Sequence, residues 1–493
     1  MSKQDTRPKA RLPRGFRDRG PDEIAAERNM LDTIRNVFEC YGFDALETPS
    51  LEFTDALGKF LPDLDRPNEG VFSFQDEDAE WLSLRYDLTA PLARYVAENF
   101  QNIPKPFRRY QVGQVWRNEK PGPGRFREFT QFDADTVGSS SPSADAELLM
   151  MLVDTLEALG LERGEYIVKV NSRNLLDGVL EAAKVPLRDG TTRGNVLRAI
   201  DKLDRLGVEG VGALLGEGRK DDSGDYTKGA GLGSDAIERI LQFVASGGEQ
   251  GDYAASLAVI SKTVSGAAAD RGLAELSEIF RILNDCGYSG ERVRVDTSIV
   301  RGLDYYTGPV FEAQLTFPVR NDKGEPIVFG SVGSGGRYDD LVARFTGQSV
   351  PASGVSIGVS RLLSALRERQ PALANTERLI CVLVLDKDEA PESFRMAREL
   401  REAGLRAEAY TGASGMKAQL KYADRRGAAI AVIEGSEERA RGEVTIKDLD
   451  LGAELAKSVG DRAAWVKEQP AQTSVPRKNL QQALRAILDE RKG

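Results

Sequence analysis

A short basic segment between two runs of strand-forming residues most constrains how this chain can fold. The segment reads RNEKPGPGRFREFTQFDAD from Arg117 to Asp135, and KPGPG at its centre is a turn that neither a helix nor a strand can accommodate. It therefore predicts a strand–turn–strand hairpin. Alternate residues of a strand leave the same face, which groups Arg117 with Glu119 before the turn and Arg125 with Arg127 and Phe129 after it.

A cationic face beside an aromatic ring suits a polyphosphate whose base stacks on the ring. A basic hairpin whose charges are merely solvated fits this segment equally well. Three further segments favour a ligand site, because glycines let the backbone approach a ligand closely. They are VRGLDYYTG at 300–308, VGSGGRYD at 332–339 and GVSIGVSRLL at 354–363.

These segments resemble the motifs of class II aminoacyl-tRNA synthetases, and in particular of the histidyl-tRNA synthetases. Residues 41–49 resemble motif 1, residues 117–135 motif 2, and residues 358–363 motif 3. RGLDYYTG at 301–308 is similar to a signature peculiar to the histidine enzymes, and LRYDLTAP at 84–91 also fits. The resemblance covers nearly the whole chain.

Together with the pattern of elements, the resemblance predicts an α+β catalytic domain built on a mainly antiparallel sheet with a helical insertion. A C-terminal α/β anticodon-binding domain is expected to follow, because strands and helices alternate beyond residue 378. The predicted domains are 1–184 and 287–369 for the two parts of the catalytic core, 185–286 for the insertion, 377–465 for the anticodon-binding domain, and 466–493 for a tail without an assigned role.

Amphipathic spacing predicts a helix over Asp22–Tyr41. Strands are predicted over Phe107–Trp116 and Phe126–Val137, on either side of the turn.

The resemblance also implies roles for individual residues. Arg117 and Arg301 are expected to be catalytic by steadying the amino acid's carboxylate and the α-phosphate. ATP is expected to contact Arg117, Glu119, Arg125, Arg127, Phe129 and Arg361. Histidine is expected to contact Asp87, Thr89, Arg117, Gln131, Asp135, Arg301, Tyr305 and Tyr306.

Three of these residues have a structural alternative. Asp87 stands where a helix-capping residue would, Asp135 could be an edge-strand acid facing solvent, and Arg301 could form a buried ion pair with Asp304.

Two positions depart from the family pattern. Ser360 stands where a glutamate usually precedes the motif 3 arginine, which leaves the polar partner of Arg361 open. Gly122 replaces a polar residue that bacterial relatives direct at the extra 5′ nucleotide of the tRNA. We therefore expect weak or altered reading of that nucleotide.

The chain of 493 residues contains no histidine, which excludes protein imidazoles as general bases and metal ligands. Amino-acid activation tolerates this, because the substrate carboxylate is ionised at neutral pH and attacks the α-phosphate directly. The implied cofactor is ATP, as substrate, with Mg²⁺. No metal site made of protein side chains is predicted.

Composition adds limits on location and partners. The three cysteines are far apart and read as reduced thiols, no apolar run is long enough for a membrane span, and the N-terminus is polar. We expect a cytoplasmic homodimer that binds L-histidine and histidine tRNA. A net charge of −10 argues weakly against nucleic-acid binding, but local basic patches decide it.

Two other functions remain open. A synthetase-like regulatory subunit of a histidine-biosynthetic phosphoribosyltransferase would bind histidine without activating it. A synthetase-like RNA-binding or sensor module would lack catalysis altogether.

Overall fold

The structure is a computed structural model. It describes residues 8–60, 70–122, 125–185, 190–220, 226–247, 252–288, 290–300, 305–320, 326–327, 329–367, 369, 378–386, 388, 390–458 and 471–490. The chain divides into two compact units, Met1–Ala374 and Asn375–Gly493. Within the described residues, no helix is both long and apolar enough to cross a membrane.

The first unit is organised by an eight-stranded sheet with the order β1-β5-β6-β15-β14-β11-β7-β10. Only the two outermost pairings, β1 with β5 and β10 with β7, are parallel. The prediction of a mainly antiparallel sheet is confirmed. The strands are β1 (Asp44–Ala45), β5 (Phe107–Trp116), β6 (Glu128–Val137), β7 (Tyr166–Ser172), β10 (Val293–Val295), β11 (Pro309–Leu315), β14 (Ser331–Arg337) and β15 (Ala352–Gly358).

One face of this sheet is covered by helices and forms the main hydrophobic core. Met30, Ile34 and Phe38 recur at helical spacing and are fully buried. The ring of Phe38 packs 5.0 Å from that of Phe132 on β6. The helices on this side are α1 (Pro21–Cys40), α3 (Pro142–Ala158), α4 (Arg173–Ala182), α9 (Gly266–Asp285) and α11 (Val359–Leu366).

The other face of the sheet carries polar side chains. Because neighbours along a strand alternate between faces, burying Phe132 and Ala134 against the helices directs Gln131, Asp133 and Asp135 to the opposite side. This polar face holds the candidate site.

Helices dominate the predicted insertion. They are α5 (Gly190–Ile200), α6 (Leu203–Leu215), α7 (Ser234–Ala245) and α8 (Tyr253–Ile260), followed by α9. The predicted insertion also contains a small antiparallel hairpin of β8 (Gly218–Lys220) and β9 (Tyr226–Lys228). Gly218 has φ of +126°, and a Cβ there would lie 2.2 Å from the Thr227 carbonyl oxygen, so the hairpin requires glycine.

The rest of the first unit is built from short elements. A three-stranded sheet has the order β2-β4-β3, and helix α2 follows it. The bounds are β2 (Leu51–Phe53), β3 (Ser73–Gln75), β4 (Trp81–Leu84), α2 (Thr89–Asn99), β12 (Val319–Arg320), β13 (Pro326–Ile327) and α10 (Ala343–Thr346).

The second unit is a five-stranded mixed sheet with helices, in the order β17-β16-β18-β19-β20. Strand β16 pairs in parallel with β17 and β18, and β19 is antiparallel to both of its neighbours. The elements are β16 (Leu379–Val382), α12 (Ala390–Glu402), β17 (Ala407–Ala409), α13 (Met416–Arg425), β18 (Ala428–Ile433), α14 (Ser436–Arg441), β19 (Glu443–Asp448), α15 (Leu449–Ser458), β20 (Gln472–Pro476) and α16 (Leu480–Asp489).

The C-terminal tail, which had no assigned role, completes this second unit. Strand β20 extends the sheet beside β19, and Leu480 and Leu484 of α16 are fully buried in its core.

Candidate functional site: a cationic cleft above a polar sheet face

The motif 2 turn differs in one respect from the prediction. Strand β5 ends at Trp116, so Arg117 and Glu119 lie just beyond the strand and not on it. The last ladder pair is Trp116 with Glu128, and beyond it the backbone N–H of Arg117 still donates to the Arg127 carbonyl oxygen at 2.9 Å.

The guanidinium group of Arg117 is held between two aromatic rings. Its Cζ lies 4.3 Å from the ring centroid of Tyr86 and 5.2 Å from that of Phe129. Its Nε donates to the Tyr86 carbonyl oxygen at 3.3 Å. Cation–π contacts on two rings and one backbone hydrogen bond hold a permanent positive charge in position.

Six of the predicted binding residues line one cleft. It is floored by the small residues of β14 and β15, which keep the space above the sheet open. The six are Arg117, Glu119, Arg125, Phe129, Gln131 and Arg361.

Arg127 is not among the residues that line the cleft. Its Nε donates to the Glu119 carbonyl oxygen at 3.0 Å, and its side chain packs on Gly15. A Cβ at Gly15 would lie 2.9 Å from Arg127 Cγ. Arg127 therefore braces the loop, whereas the exposed Arg125 reaches the cleft directly. The Glu119 carboxylate is itself fixed by the Tyr86 hydroxyl at 2.7 Å.

The departure at Ser360 has a structural consequence. The Ser360 hydroxyl accepts a hydrogen bond from the backbone N–H of Thr130 at 3.0 Å, which joins the start of α11 to β6. Arg361 donates to the Ser331 carbonyl oxygen at 3.0 Å and lies 5.6 Å from the ring centroid of Phe329. Arg361 thus has a polar backbone partner without the usual glutamate.

Asp87 combines the two roles that the sequence left open. Its Oδ1 accepts from the backbone N–H groups of Thr89 and Ala90, at 3.1 and 2.9 Å, so it caps the start of α2. Its Oδ2 is buried without a hydrogen-bond partner among the described residues. One oxygen therefore remains for a ligand.

Asp135 is buried and does not face solvent. Its Oδ2 lies 2.8 Å from a terminal nitrogen of Arg109, and both side chains are essentially inaccessible. The Tyr338 hydroxyl donates to its Oδ1. Burial raises the pKa of Asp135, and Arg109 and Tyr338 oppose that rise.

Tyr305 and Tyr306 lie beside these acids. Their ring centroids are 5.2 Å apart, and that of Tyr305 is 5.7 Å from that of Tyr338. Thr89 forms a side-chain hydrogen bond with Tyr305. The predicted histidine-contacting residues that the structure describes therefore group around one polar compartment.

Sequence reasoning missed Asp133, Arg109, Tyr338 and Ser356. Asp133 is 2% exposed, and burial, followed by repulsion from Asp135, raises its pKa to about 7. A local signal for Asp133 exists in the alternation of Gln131, Asp133 and Asp135 along one strand. Tyr338 and Ser356 lie in the segments 332–339 and 354–363 that the sequence singled out, but nothing in those segments distinguishes these two residues, and Arg109 carries no local signal.

Arg301 and Asp304 lie outside the described residues. The expected convergence of Arg301 with Arg117, and its alternative of an ion pair with Asp304, remain predictions.

Comparisons with known proteins identify the family. A family model described as Histidyl-tRNA synthetase matches residues 15–362, and one described as Anticodon binding domain matches residues 380–469. Among curated proteins, histidine–tRNA ligases from Brucella abortus and Methylocella silvestris are 56% and 57% identical to this chain. The alignments cover 99% and 98% of this chain and 98% of each relative.

Solved structures give the same picture. The histidyl-tRNA synthetase of Nostoc sp. PCC 7120 aligns with a TM-score of 0.72 at 27% identity, over 98% of this chain and 100% of that one. A Bacillus halodurans protein described as an ATP phosphoribosyltransferase regulatory subunit/histidyl-tRNA synthetase aligns with a TM-score of 0.63. It covers 84% of this chain and 97% of that one at 24% identity, a likeness of fold alone.

Proposed function

Since the chain belongs to the histidyl-tRNA synthetase family, and so joins histidine to its tRNA at the expense of ATP, we propose that the cationic cleft performs the activation step. The single observation that supports this is the convergence of Arg117, Glu119, Phe129 and Arg361 on one cleft, next to the compartment of buried acids.

In the proposed mechanism, adenine stacks on Phe129 with Glu119 beside it, Arg361 clamps the nucleotide from the opposite face, and Arg125 holds the outer phosphates. Arg127 keeps the loop in shape. Arg117 then faces the α-phosphate. The histidine carboxylate attacks that phosphorus, the bond to the diphosphate breaks, and the added negative charge is met by guanidinium groups that cannot lose their protons. Arg301 is proposed as the second catalytic arginine.

The histidine side chain and ammonium group are proposed to bind Asp87, Thr89, Gln131, Asp135, Tyr305 and Tyr306. A pocket with buried acceptors rejects apolar amino acids, because these would leave the acceptors unpaired.

Mg²⁺ is proposed to arrive with ATP. In the part of the chain that the structure describes, no group of three or more acidic or cysteine side chains is arranged to chelate it. We assign the ion to the phosphates and no step to a protein metal site.

Histidine-dependent exchange of pyrophosphate into ATP tests the proposal directly. Exchange that requires L-histidine and stops when ATP is omitted is expected. A regulatory subunit or a non-catalytic RNA-binding module would bind its ligand without exchange, and that result would reject the proposed mechanism.

Gly122 leads to a prediction for the tRNA. The turn is closed by reciprocal backbone hydrogen bonds between Gly122 and Arg125, and Gly122 offers no side chain to the 5′ nucleotide. Removing that nucleotide from histidine tRNA is expected to slow charging by less than about tenfold, the worth of one ordinary hydrogen bond. Aminoacylation of the two tRNAs under identical conditions measures this, and a loss of several hundredfold would contradict it.

We also propose that the protein is a cytoplasmic homodimer. Phe53 and Phe74 flank Leu82 on one face of the three-stranded sheet, and they are 55% and 46% exposed. An exposed apolar face of this kind marks an interface.

Phe53→Asp is expected to shift the protein from the mass of two chains to that of one in light scattering after size exclusion. Tyr226→Asp, at a 59% exposed aromatic of the β8–β9 hairpin, is the matched control and should leave the mass unchanged. A Phe53→Asp protein that stays dimeric would remove this face as the interface.

A further inference from the structure

Two carboxyl groups on β6 point into the same compartment but differ in what holds them. Asp133 and Asp135 are two residues apart and share a face. Asp135 forms an ion pair with Arg109 through Oδ2, although not a hydrogen bond, and its Oδ1 accepts from the Tyr338 hydroxyl group. Asp133 is equally buried, yet among the described residues it forms no ion pair and its Oδ1 has no hydrogen-bond partner.

Asp133 is linked instead to a serine on the neighbouring strand. Ser356 lies directly opposite Asp133 in the β6–β15 register. Its side chain faces the Asp133 carboxyl group across the strand pair and lowers the pKa of that group, against the larger effect of burial. Ser356 also accepts a hydrogen bond from Gln131 Nε2 at 2.7 Å.

These contacts set the direction of each hydrogen bond. A serine hydroxyl has one proton to give. Because Ser356 Oγ already accepts from the Gln131 amide, its own proton goes to Asp133. The order is Gln131 Nε2–H to Ser356 Oγ, and Ser356 Oγ–H to the Asp133 carboxyl group.

The other end of the Gln131 amide, its carbonyl oxygen, is available to a ligand. Gln131 Oε1 is buried without a hydrogen-bond partner in the described structure, and Gln131 and Ser356 both line the cleft that contains Arg117. A buried acceptor with no partner is costly unless a ligand supplies the donor.

We propose that Asp133 is a positioning residue that acts through Ser356. It fixes the Gln131 amide with its carbonyl oxygen towards the cleft, where it accepts from an N–H group of the bound amino acid. This inference rests on the proposed function of the cleft. The ionised carboxylate of Asp133 can only accept a hydrogen bond, so it requires the Ser356 hydroxyl group to be the donor.

Asparagine at position 133 would undo this order without changing size. Its amide N–H can donate to Ser356, which frees the serine proton for Gln131. The Gln131 amide would then turn its NH₂ group to the cleft. Two hydrogen-bond donors, this NH₂ group and the N–H group of the bound amino acid, would face each other.

The test measures pyrophosphate exchange by Asp133→Asn, Ser356→Ala and the double variant. Each single change is expected to raise the KM for histidine by roughly 10- to 100-fold, as for a lost hydrogen bond to a charged group, with little change in the KM for ATP. Because both act through one link, the double variant should be no worse than the poorer single variant. Thr136→Val is the matched control, since Thr136 is buried on β6 but faces away from the cleft.

Three outcomes separate the possibilities. A histidine KM within about twofold of wild type in Asp133→Asn, or effects that multiply in the double variant, would overturn the relay. A wild-type protein without exchange would overturn the proposed function instead. If Asp133→Asn does not fold, Ser356→Ala alone tests the same link, because it removes the only proton that the relay passes to Asp133.

Discussion

Arg117→Ala is expected to lower histidine-dependent pyrophosphate exchange by at least about 1,000-fold. Removing one transition-state donor costs roughly 10²–10³ in kcat, and a guanidinium group supplies both donors and charge. The two rings and the backbone hydrogen bond that hold Arg117 fix its charge before the substrate arrives. The chain has no histidine that could replace it.

Steady-state kinetics distinguish a catalytic from a binding defect in this variant. We expect kcat to fall far more than the KM for either substrate rises, as for an interaction made mainly in the transition state. Arg281→Ala is the control, because it removes an exposed surface arginine of α9 and should leave exchange unchanged. If Arg117→Ala retains more than about a tenth of the activity, the role assigned to Arg117 is wrong.

Arg109→Met is expected to lower the free energy of unfolding of the first unit by about 3–5 kcal/mol, as for other buried ion pairs that lose one partner. Arg109 is fully buried and is the cation beside Asp135, and it also donates to the Leu88 carbonyl oxygen at 2.9 Å. Its loss leaves the carboxyl groups of Asp133 and Asp135 without that charge.

The loss of unfolding free energy in Arg109→Met should depend on pH, and the pKa shifts determine whether it grows or shrinks as the pH rises. Burial raises the pKa of Asp135, and it raises the pKa of Asp133 to about 7. The positive charge of Arg109 lowers the pKa of both groups. A carboxyl group whose folded pKa lies above its unfolded value keeps its stabilising contribution at low pH and loses it as the pH rises through the folded pKa. Without Arg109 both folded pKa values rise further. The destabilisation should therefore be larger at pH 8 than at pH 5.

Urea unfolding of Arg109→Met, Asp135→Asn and the double variant between pH 5 and 8 measures this. The double variant should be less destabilised than the sum of the single changes, because asparagine leaves no carboxylate to be paired. Additive losses that do not vary with pH would argue against a charge origin.

The sequence predicts local elements well where one side of an element is buried. The helix predicted over Asp22–Tyr41 is Pro21–Cys40, and the strand predicted over Phe107–Trp116 has those bounds. In the helix, the spacing of apolar residues records the buried face, whereas the strand was predicted from its position beside the motif 2 turn. Strand β20 was missed because it lies at the edge of the sheet and most of its own residues are exposed and polar. Its sequence therefore has no apolar pattern.

The candidate site was only partly predictable, for a related reason. Arg117 and Phe129 belong to one motif and could be found together. Ser356 carries no charge or periodic signal, and its role follows only from the pairing of two strands that bring it to Gln131 and Asp133. Arg109 was missed because the sequence of a strand does not show that one of its arginines will pair with a buried acid. Its partner, Asp135, is identified only by the structure.

The pairing of β6 with β15 also bears on how the protein is made. Gln131 and its partner Ser356 are 225 residues apart in the chain, with the whole helical insertion translated between them. A ribosome therefore exposes the arginine-rich hairpin well before the strand that floors its cleft exists, and closing so long a loop is slow. During that interval the nascent hairpin offers an unpaired edge strand, and an emerging chain would benefit from a chaperone until β15 docks.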